Sequence, residues 1–471
     1  MTLHPIRLAC RLAALAAAAG CAPAVDALSF DATLRSRAAF EANGARDLGL
    51  TGGGNTNIAY LDLSPRLFIT FDPKLTAFVR MQGFLPTDAI PTFDDGTPAQ
   101  LQAAESFVAL NEAWVQFNGL TSYPNETLRI GRQLIREDNG DWVGINMDAI
   151  RWSFDTTLFR AVASVMYPFS SYRTDDLPVP PVQRDRLYGT LNVGGDWAPE
   201  QRIGARVMHA SDRKGLQPPG STVGENSRLQ SGQLTWIGVY ANNGYNIPRA
   251  RQALYYSFDL TYLTGTNFTA TATDGVIANV QRNRLGAFAG TGALRWKPLA
   301  DVPVSFGTGY TYSSGGGDRQ YQQSGIHNNN NFFAGNQTLT NRYSNVVRAQ
   351  LGNLHVVMAH VTYNLGDWDA SLVYQNFRKD KANAPITTNN VTADPVSGSK
   401  DVGNGLEFLV TRFLGDRSVL TRLAGGDDDT GDNQRSSVRL RASVFDPGAA
   451  YGPGVDKFHY RIILETTLWV F

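Results

Sequence analysis

The chain has 471 residues and sets 42 Lys+Arg against 42 Asp+Glu, a formal net charge of zero. That balance gives no global pull toward nucleic acid and no acidic excess of the kind that keeps a chain disordered. Charged residues are only 18% and hydrophobic residues 42%, yet beyond the N-terminal leader there is no run of roughly 18 apolar residues, which excludes a helical membrane protein.

In chain order the first element is an export signal over residues 1–27. Arg7 and Arg11 supply a positive region ahead of an apolar stretch from Leu12 to Ala19, and Ala22-Pro-Ala24 and Val25-Asp-Ala27 offer small-residue cleavage sites. Cys10 and Cys21 both lie in this leader, so the mature chain, 28–471, has no disulfide, no thiol nucleophile and no Cys metal site.

From Phe30 the dominant period is two, the mark of strands with two unlike faces. Phe30, Ala32 and Leu34 alternate with Asp31, Thr33 and Arg35; Val438, Leu440 and Ala442 alternate with Arg439, Arg441 and Ser443. About 18 such runs follow one another, near 30–40, 57–71, 75–83, 106–117, 127–136, 147–154, 158–167, 186–197, 202–210, 230–240, 252–264, 283–296, 302–313, 346–365, 369–378, 403–414, 436–445 and 458–471. The connections alternate too. Short turns such as Asp72-Pro-Lys74, Asp155-Thr-Thr157 and Gly366-Asp-Trp368 are separated by long polar loops at 41–56, 84–105, 137–146, 168–185, 211–229, 265–282, 314–345, 379–402 and 446–457. Short turns on one side and long loops on the other predict an all-β fold, a transmembrane outer-membrane β-barrel of about 18 antiparallel strands, with both termini on the periplasmic side. A soluble sandwich would share the alternation but would not need the alternating loop lengths, and no repeat at propeller spacing is present. The last strand has one irregularity: Tyr460, Ile462, Leu464, Leu468 and Val470 share a face, whereas the terminal Phe471 falls on the other.

If the apolar face meets lipid, the other face lines a lumen. Strand parity places Arg37, Asp62, Arg66, Arg80, Glu112, Arg151, Arg160, Arg186, Arg202, Arg206, Asp259, Glu407, Arg439 and Arg441 there. Arginines outnumber acids on that face, and fixed cations in a low-dielectric wall favour an anionic solute. The plainer reading is that these charges pair with one another and hold the shape of the wall. The segment Leu128–Asp138 breaks the alternation and crowds Arg129, Arg132 and Arg136 beside Glu137 and Asp138. No catalytic constellation emerges: the six His are scattered, no metal spacing appears, and no cofactor is implied.

Several segments, in order over essentially the whole mature chain, carry a resemblance. They are Glu112-Ala-Trp-Val-Gln-Phe-Asn-Gly-Leu-Thr-Ser-Tyr-Pro, the run from Leu128 to Asp138, Arg151-Trp-Ser-Phe-Asp-Thr-Thr-Leu, Tyr172-Arg-Thr-Asp175, Asp196-Trp-Ala-Pro, Gln233-Leu-Thr-Trp-Ile-Gly238, Asp369-Ala-Ser-Leu-Val-Tyr374 and Ala450-Tyr-Gly-Pro-Gly454. Together they resemble the alginate export family of outer-membrane exopolysaccharide exporters. The resemblance implies an 18-stranded barrel that passes an anionic uronic-acid polymer, gated by an extracellular loop (here 84–105) and a long periplasmic turn (here 415–435). It carries lumenal charge over to Arg37, Glu112, Asp175, Arg439 and Arg441. Family arginines are missing at Ser64, Asn111 and Leu134, where Arg66 can replace the first, and Arg151 and Arg160 are additions. The implied surroundings are outer-membrane lipid, the anionic exopolysaccharide and periplasmic secretion-scaffold proteins, with a monomeric barrel and no nucleic acid. The alternative left open is a diffusion porin for small anions.

Overall fold

The period-two segments are strands in the computed structural model, which describes residues 28–44, 56–87, 106–121, 123, 125–137, 140–175, 183, 185–224, 227–246, 252–299, 302–388, 398–414, 435–452, 455 and 458–470. They are β1 (Ser29–Gly44), β2 (Thr56–Asp72), β3 (Leu75–Pro86), β4 (Phe107–Asn118), β5 (Glu126–Arg136), β6 (Gly144–Asp155), β7 (Phe159–Tyr167), β8 (Arg186–Ala198), β9 (Gln201–Asp212), β10 (Gln230–Asn242), β11 (Leu254–Thr273), β12 (Val276–Trp296) and β13 (Val304–Ser313). A two-residue pair follows, β14 (Asn330–Asn331) with β15 (Thr340–Asn341), and then β16 (Leu354–Leu365), β17 (Trp368–Lys379), β18 (Asp401–Leu414), β19 (Ser436–Pro447) and β20 (His459–Val470).

All but β14 and β15 form one 18-stranded antiparallel sheet. β20 pairs with β1 from Leu34↔Val470 to Gly44↔Tyr460, which closes the sheet into a barrel. Closure leaves no strand edge facing lipid, where an unpaired backbone group would be costly. The outer wall is apolar: Ile237, Val239, Phe258, Leu260, Phe288, Phe306, Leu372, Leu440, Ile462 and Leu464 are all exposed, while alternate residues are buried inside. In β20 the exposed face is Tyr460, Ile462, Leu464, Leu468 and Val470, and Arg461, Glu465 and Trp469 point inward.

Three departures from the sequence reading have physical causes. Residues 265–282, read as a loop, extend β11 and β12 into a hairpin that turns at Asp274-Gly275, both with positive φ. That combination is a tight hairpin turn; the flanking run Thr269-Ala-Thr-Ala-Thr273 has no apolar face because much of it stands clear of lipid. Residues 346–353, read as the start of a strand, are a buried loop, and β16 begins at Leu354. On the short-turn side the turn 415–435 has company: the connection after β10 is also long, and its Tyr245 is fully buried with its hydroxyl 3.3 Å from His360 Nε2. The leader 1–27, residues 88–105 of the long loop after β3, residues 415–434 and Phe471 lie outside the described residues.

Candidate functional site

Two chain segments enter the lumen, and local backbone chemistry makes each do so. The first is the top of the β5–β6 hairpin. The β4–β5 ladder stops at Ala113↔Arg132. Gly131 sits there with φ +127, and a Cβ on it would lie 2.3 Å from the Ala113 carbonyl oxygen, so this crossing requires glycine. Above it Tyr172–Thr174 takes over beside β4, with Leu110 N–H donating to the Tyr172 carbonyl (3.0 Å) and Thr174 N–H to that of Val108 (2.9 Å). Freed from the wall, the hairpin top reaches across the barrel. Trp142 Nε1 donates to Thr261 Oγ1 of β11 (3.2 Å), and the Arg206 guanidinium lies 4.1 Å from the Trp142 ring centroid. This is why alternation fails after Leu128.

The second segment is the whole connection from β13 to β16, residues 314–353. It meets the first through Asn328 N–H to the Gly140 carbonyl (2.8 Å), Gly144 N–H to that of Ile326 (2.8 Å), and an ion pair between Arg342 and Asp141 (3.2 Å). Its tip reaches the far end of the barrel. Thr362 Oγ1 donates to the Ala334 carbonyl (2.6 Å), and Gln337 N–H donates to Asp369 Oδ2 (2.8 Å). Thr362 and Asp369 flank the short turn between β16 and β17, so the loop runs the height of the lumen. Its apolar residues Tyr321, Tyr343, Val346, Val347 and Leu351 form one cluster with Trp142, Tyr188, Met208, Trp236, Leu263 and Phe377 of the barrel. Full burial contributes about 1.5–3 kcal/mol for each large apolar side chain. Removal from water pushes the Asp141 carboxyl above its usual range, an effect that Arg342 opposes, and pushes the His327 imidazole of the loop down to about 4.

The rest of the wall, from β18 through β20 and round to β5, is lined differently. Arg37 pairs with Asp62 (2.9 Å) and faces Glu465 (3.8 Å), which also holds Arg439 (2.9 Å). Arg80 pairs with Glu112 (2.9 Å), and Arg461 with Glu41 (2.9 Å). Arg66 stacks on Trp469 (4.5 Å) and Arg129 on Trp114 (4.0 Å), with Arg129 Nε donating to Gln116 (2.9 Å). Arg441 and the loop's Arg348 both lie in electrostatic range of Glu407. Among the residues named here the arginines outnumber the acids along this arc.

The residues singled out in the sequence therefore divide. Arg37, Arg66, Arg80, Glu112, Arg129, Arg439 and Arg441 come together on the charged arc. Arg132, at the break between β4 and β5, bonds Asp148 (3.5 Å) and lies over Tyr172, and Arg151 stands opposite Arg129 in the β5–β6 ladder. Arg136 donates to the Asn330 carbonyl (2.5 Å) and so belongs to the lumenal packing. Arg160 lies at the short-turn mouth, half exposed and paired with Asp155 (2.6 Å), and Asp175 pairs with Arg173 (2.6 Å) in the loop after β7. Asp141, Trp142, Arg342 and Arg348 went unnoticed. A signal for the two arginines exists: residues 320–353 contain no acid and no lysine, only Arg342 and Arg348 as charges, which is unusual for a solvated loop of that length. Among the described residues no cluster of His, Cys, Asp or Glu is placed to hold a metal.

A closed antiparallel barrel with an apolar outer wall and a charged, obstructed lumen is an outer-membrane channel. The fold is shared with OccAB1 of Acinetobacter baumannii (TM-score 0.53, 13% identity, 94% of this chain and 97% of that one) and with OpdK of Pseudomonas aeruginosa, solved with vanillate (TM-score 0.55, 10% identity, 94% and 99%). At such identities the likeness is one of fold alone. The family model described as alginate export matches residues 26–463. The alginate production protein AlgE of Pseudomonas aeruginosa is 35% identical over 92% of this chain and 90% of its own length, and that of Azotobacter vinelandii is 28% identical over 90% of each. The chain belongs to the alginate export family and is an integral outer-membrane protein; family and fold alike are those of transport channels.

Proposed function

We propose that this barrel conducts alginate, or a closely similar acidic polymer, outward across the outer membrane, and that the polymer follows the charged arc rather than the packed half of the lumen. The observation that carries the path is the run of arginines on β19, β20, β1, β2 and β3, resumed on β5, set against an opposite half filled by protein. Pairing with acids does not silence these arginines. A guanidinium has five N–H donors in a fixed fork, and one carboxylate uses at most two, so donors remain for a passing uronate. Glu465 and Asp62 hold the guanidiniums in place, which is the arrangement a sliding polyanion needs: many weak, repeated contacts instead of one tight site.

The anion-porin alternative has no support beyond the fold, whereas the family match spans nearly the whole chain. We read the chain as a conduit and not as an enzyme. We also take residues 1–27 as a removable export signal and the working unit as a monomer, because β1 and β20 of one chain complete the barrel. Periplasmic scaffold proteins would then deliver the polymer to the mouth where Arg160 lies.

The test is Arg439→Glu combined with Arg441→Glu, with Glu465→Gln as a change of opposite sign. The double variant should lower chloride-over-potassium selectivity in reversal-potential measurements and lower polymer secretion from cells, with the barrel still assembled. Glu465→Gln should raise the selectivity. A double variant that folds, remains as anion-selective as the parent and secretes normally would remove the arc from the path.

A further inference from the structure

The hairpin that the sequence hid as a loop builds a site on the outside of the barrel. β12 pairs with β13 only up to Ala289↔Ser313, whereas its ladder with β11 continues to Thr273↔Val276. Above Ala289 the edge of β12 away from β11 has no strand beside it, whereas β11 stays paired with β10 up to Gln230↔Thr269. The chain leaving β13 turns through Gly315–Gly317 and lays the short helical turn at Gly317–Arg319 against this edge. The result is a cavity of about 590 Å³ lined by Tyr262, Thr264, Thr266, Arg284, Asp318 and Arg319. It opens to the outside of the wall: Leu263, Leu285 and Ala287 are buried toward the lumen, so Tyr262, Thr264, Arg284 and Phe288 project outward by strand parity.

Its height in the membrane follows from its neighbours. Immediately below, the rings of Tyr262 and Phe288 pack with centroids 4.7 Å apart, and Leu260, Phe258 and Tyr310 are exposed on the same side. Such an aromatic band marks the boundary between hydrocarbon and headgroups in membrane barrels. Arg284 stands two outward positions above Phe288, roughly 13 Å along the strand at about 3.3 Å per residue, and Arg282 one position higher, over the Phe268 ring (6.0 Å). Almost every lumenal arginine has an acid or an aromatic partner. Here, among the described residues, neither Arg284 nor Arg319 has an ion pair or a side-chain hydrogen bond, and Asp318 has no ion pair. Two uncommitted guanidiniums converge at headgroup level on a face that lipid must cover.

We propose that this cavity binds the phosphorylated glucosamine headgroup of an outer-leaflet glycolipid. Arg284 and Arg319 would take the phosphate, for which the guanidinium fork gives paired, charge-assisted hydrogen bonds. Thr264, Thr266 and the Tyr262 hydroxyl donate to or accept from the sugar, Asp318 accepts from a sugar hydroxyl, and the acyl chains descend along Phe288, Leu260 and Phe258. The proposal rests on the outer-membrane location and on the long-loop end facing outward, and is independent of where the polymer passes.

Native mass spectrometry of the purified barrel with diphosphorylated hexa-acyl lipid A tests it. The parent should retain the lipid. Dephosphorylated lipid A should bind about tenfold more weakly, as should the parent lipid on Arg284→Ala combined with Arg319→Ala. Inorganic phosphate at millimolar concentration should fail to displace the lipid, because without acyl chains it lacks the second anchor. A second variant, Gly286→Phe, leaves every charge in place and fills the cavity floor, and it too should lose the lipid; heat-dependent gel mobility confirms that both variants fold. Equal retention by parent and folded variants, no preference for the phosphorylated lipid, or displacement by free phosphate would each overturn the assignment.

Discussion

The two halves of the lumen solve the same problem by opposite means. Both are inward faces of one sheet and both are buried. From β6 to β13, and on β16 and β17, the inward residues are largely apolar or small, such as Met147, Met166, Tyr188, Met208, Ala210, Leu234, Ala287 and Phe377, and the chain fills the space before them with its own loop. From β18 round to β5 ion pairs and cation–aromatic stacks predominate on the inward face, beside one small apolar cluster of Ile58, Tyr60, Phe84, Phe107 and Ile463, and the inserted loop reaches this wall at Glu407 and Arg461 through Asn345. An apolar lumen wall in water would be an exposed hydrophobic patch, which the inserted loop removes. A charged wall needs no cover, and breaking one of its pairs by removing a single partner costs about 3–5 kcal/mol. A barrel can thus be plugged on one side and kept conductive on the other.

This contrast can be broken most forcefully by removing the cover. Replacing residues 322–349 with a short Gly/Ser linker should raise single-channel conductance in a planar bilayer by a large factor. Unchanged conductance would mean that the loop does not limit flow. Next in size is Trp142→Ala, which leaves a cavity where the β5–β6 top meets β11. Loss of a buried Trp costs about 3–5 kcal/mol, and it should appear as faster hydrogen exchange across 320–350 with little change along β1 and β2; uniform loosening of the barrel would contradict a locally held loop. The smallest effect is that of pH. His327 has a folded value near 4 against an ordinary 6.5, so it resists the proton in place and accepts it when released. Its contribution to loop docking is therefore complete above about 6.5 and is lost as the pH falls toward about 4. Protease sensitivity of the loop should rise across that window, and His327→Asn should flatten the rise.

The barrel itself was legible because a lipid-facing strand cannot avoid period two: each of the eighteen wall strands overlaps a run read from residues such as Val438–Ser443 or Tyr460–Val470. Positions on the charged arc were legible for the same reason, since parity alone sends Arg37, Arg66 and Arg439 inward. What parity cannot see is a strand in water, such as the β11–β12 extension, or a segment that leaves the wall, such as β5 above Gly131. The lumenal loop was hidden more deeply. Its Asn-rich stretch around Asn328–Asn331 has the composition of a turn, yet Asn329, Asn330 and Asn331 are buried and their amides bond other buried groups, for example Asn329 Nδ2 to the Ala349 carbonyl (3.3 Å). Polar residues satisfied by one another look solvated in a sequence.

Cysteine accessibility distinguishes a lumen with one conducting half and one filled half from a lumen open on its packed side. The mature chain is cysteine-free by the sequence reading, so each introduced thiol reports alone. Arg129→Cys and Arg439→Cys would stand on the charged arc, and Ala210→Cys and Ala289→Cys on the packed side. An anionic methanethiosulfonate applied to outer-membrane vesicles, with labelling read as a mass shift of the intact protein, should modify the first two quickly and spare the last two while the loop is in place. Rapid labelling at Ala210 and Ala289, with Arg129 and Arg439 protected, would place the conducting route on the opposite side of the barrel.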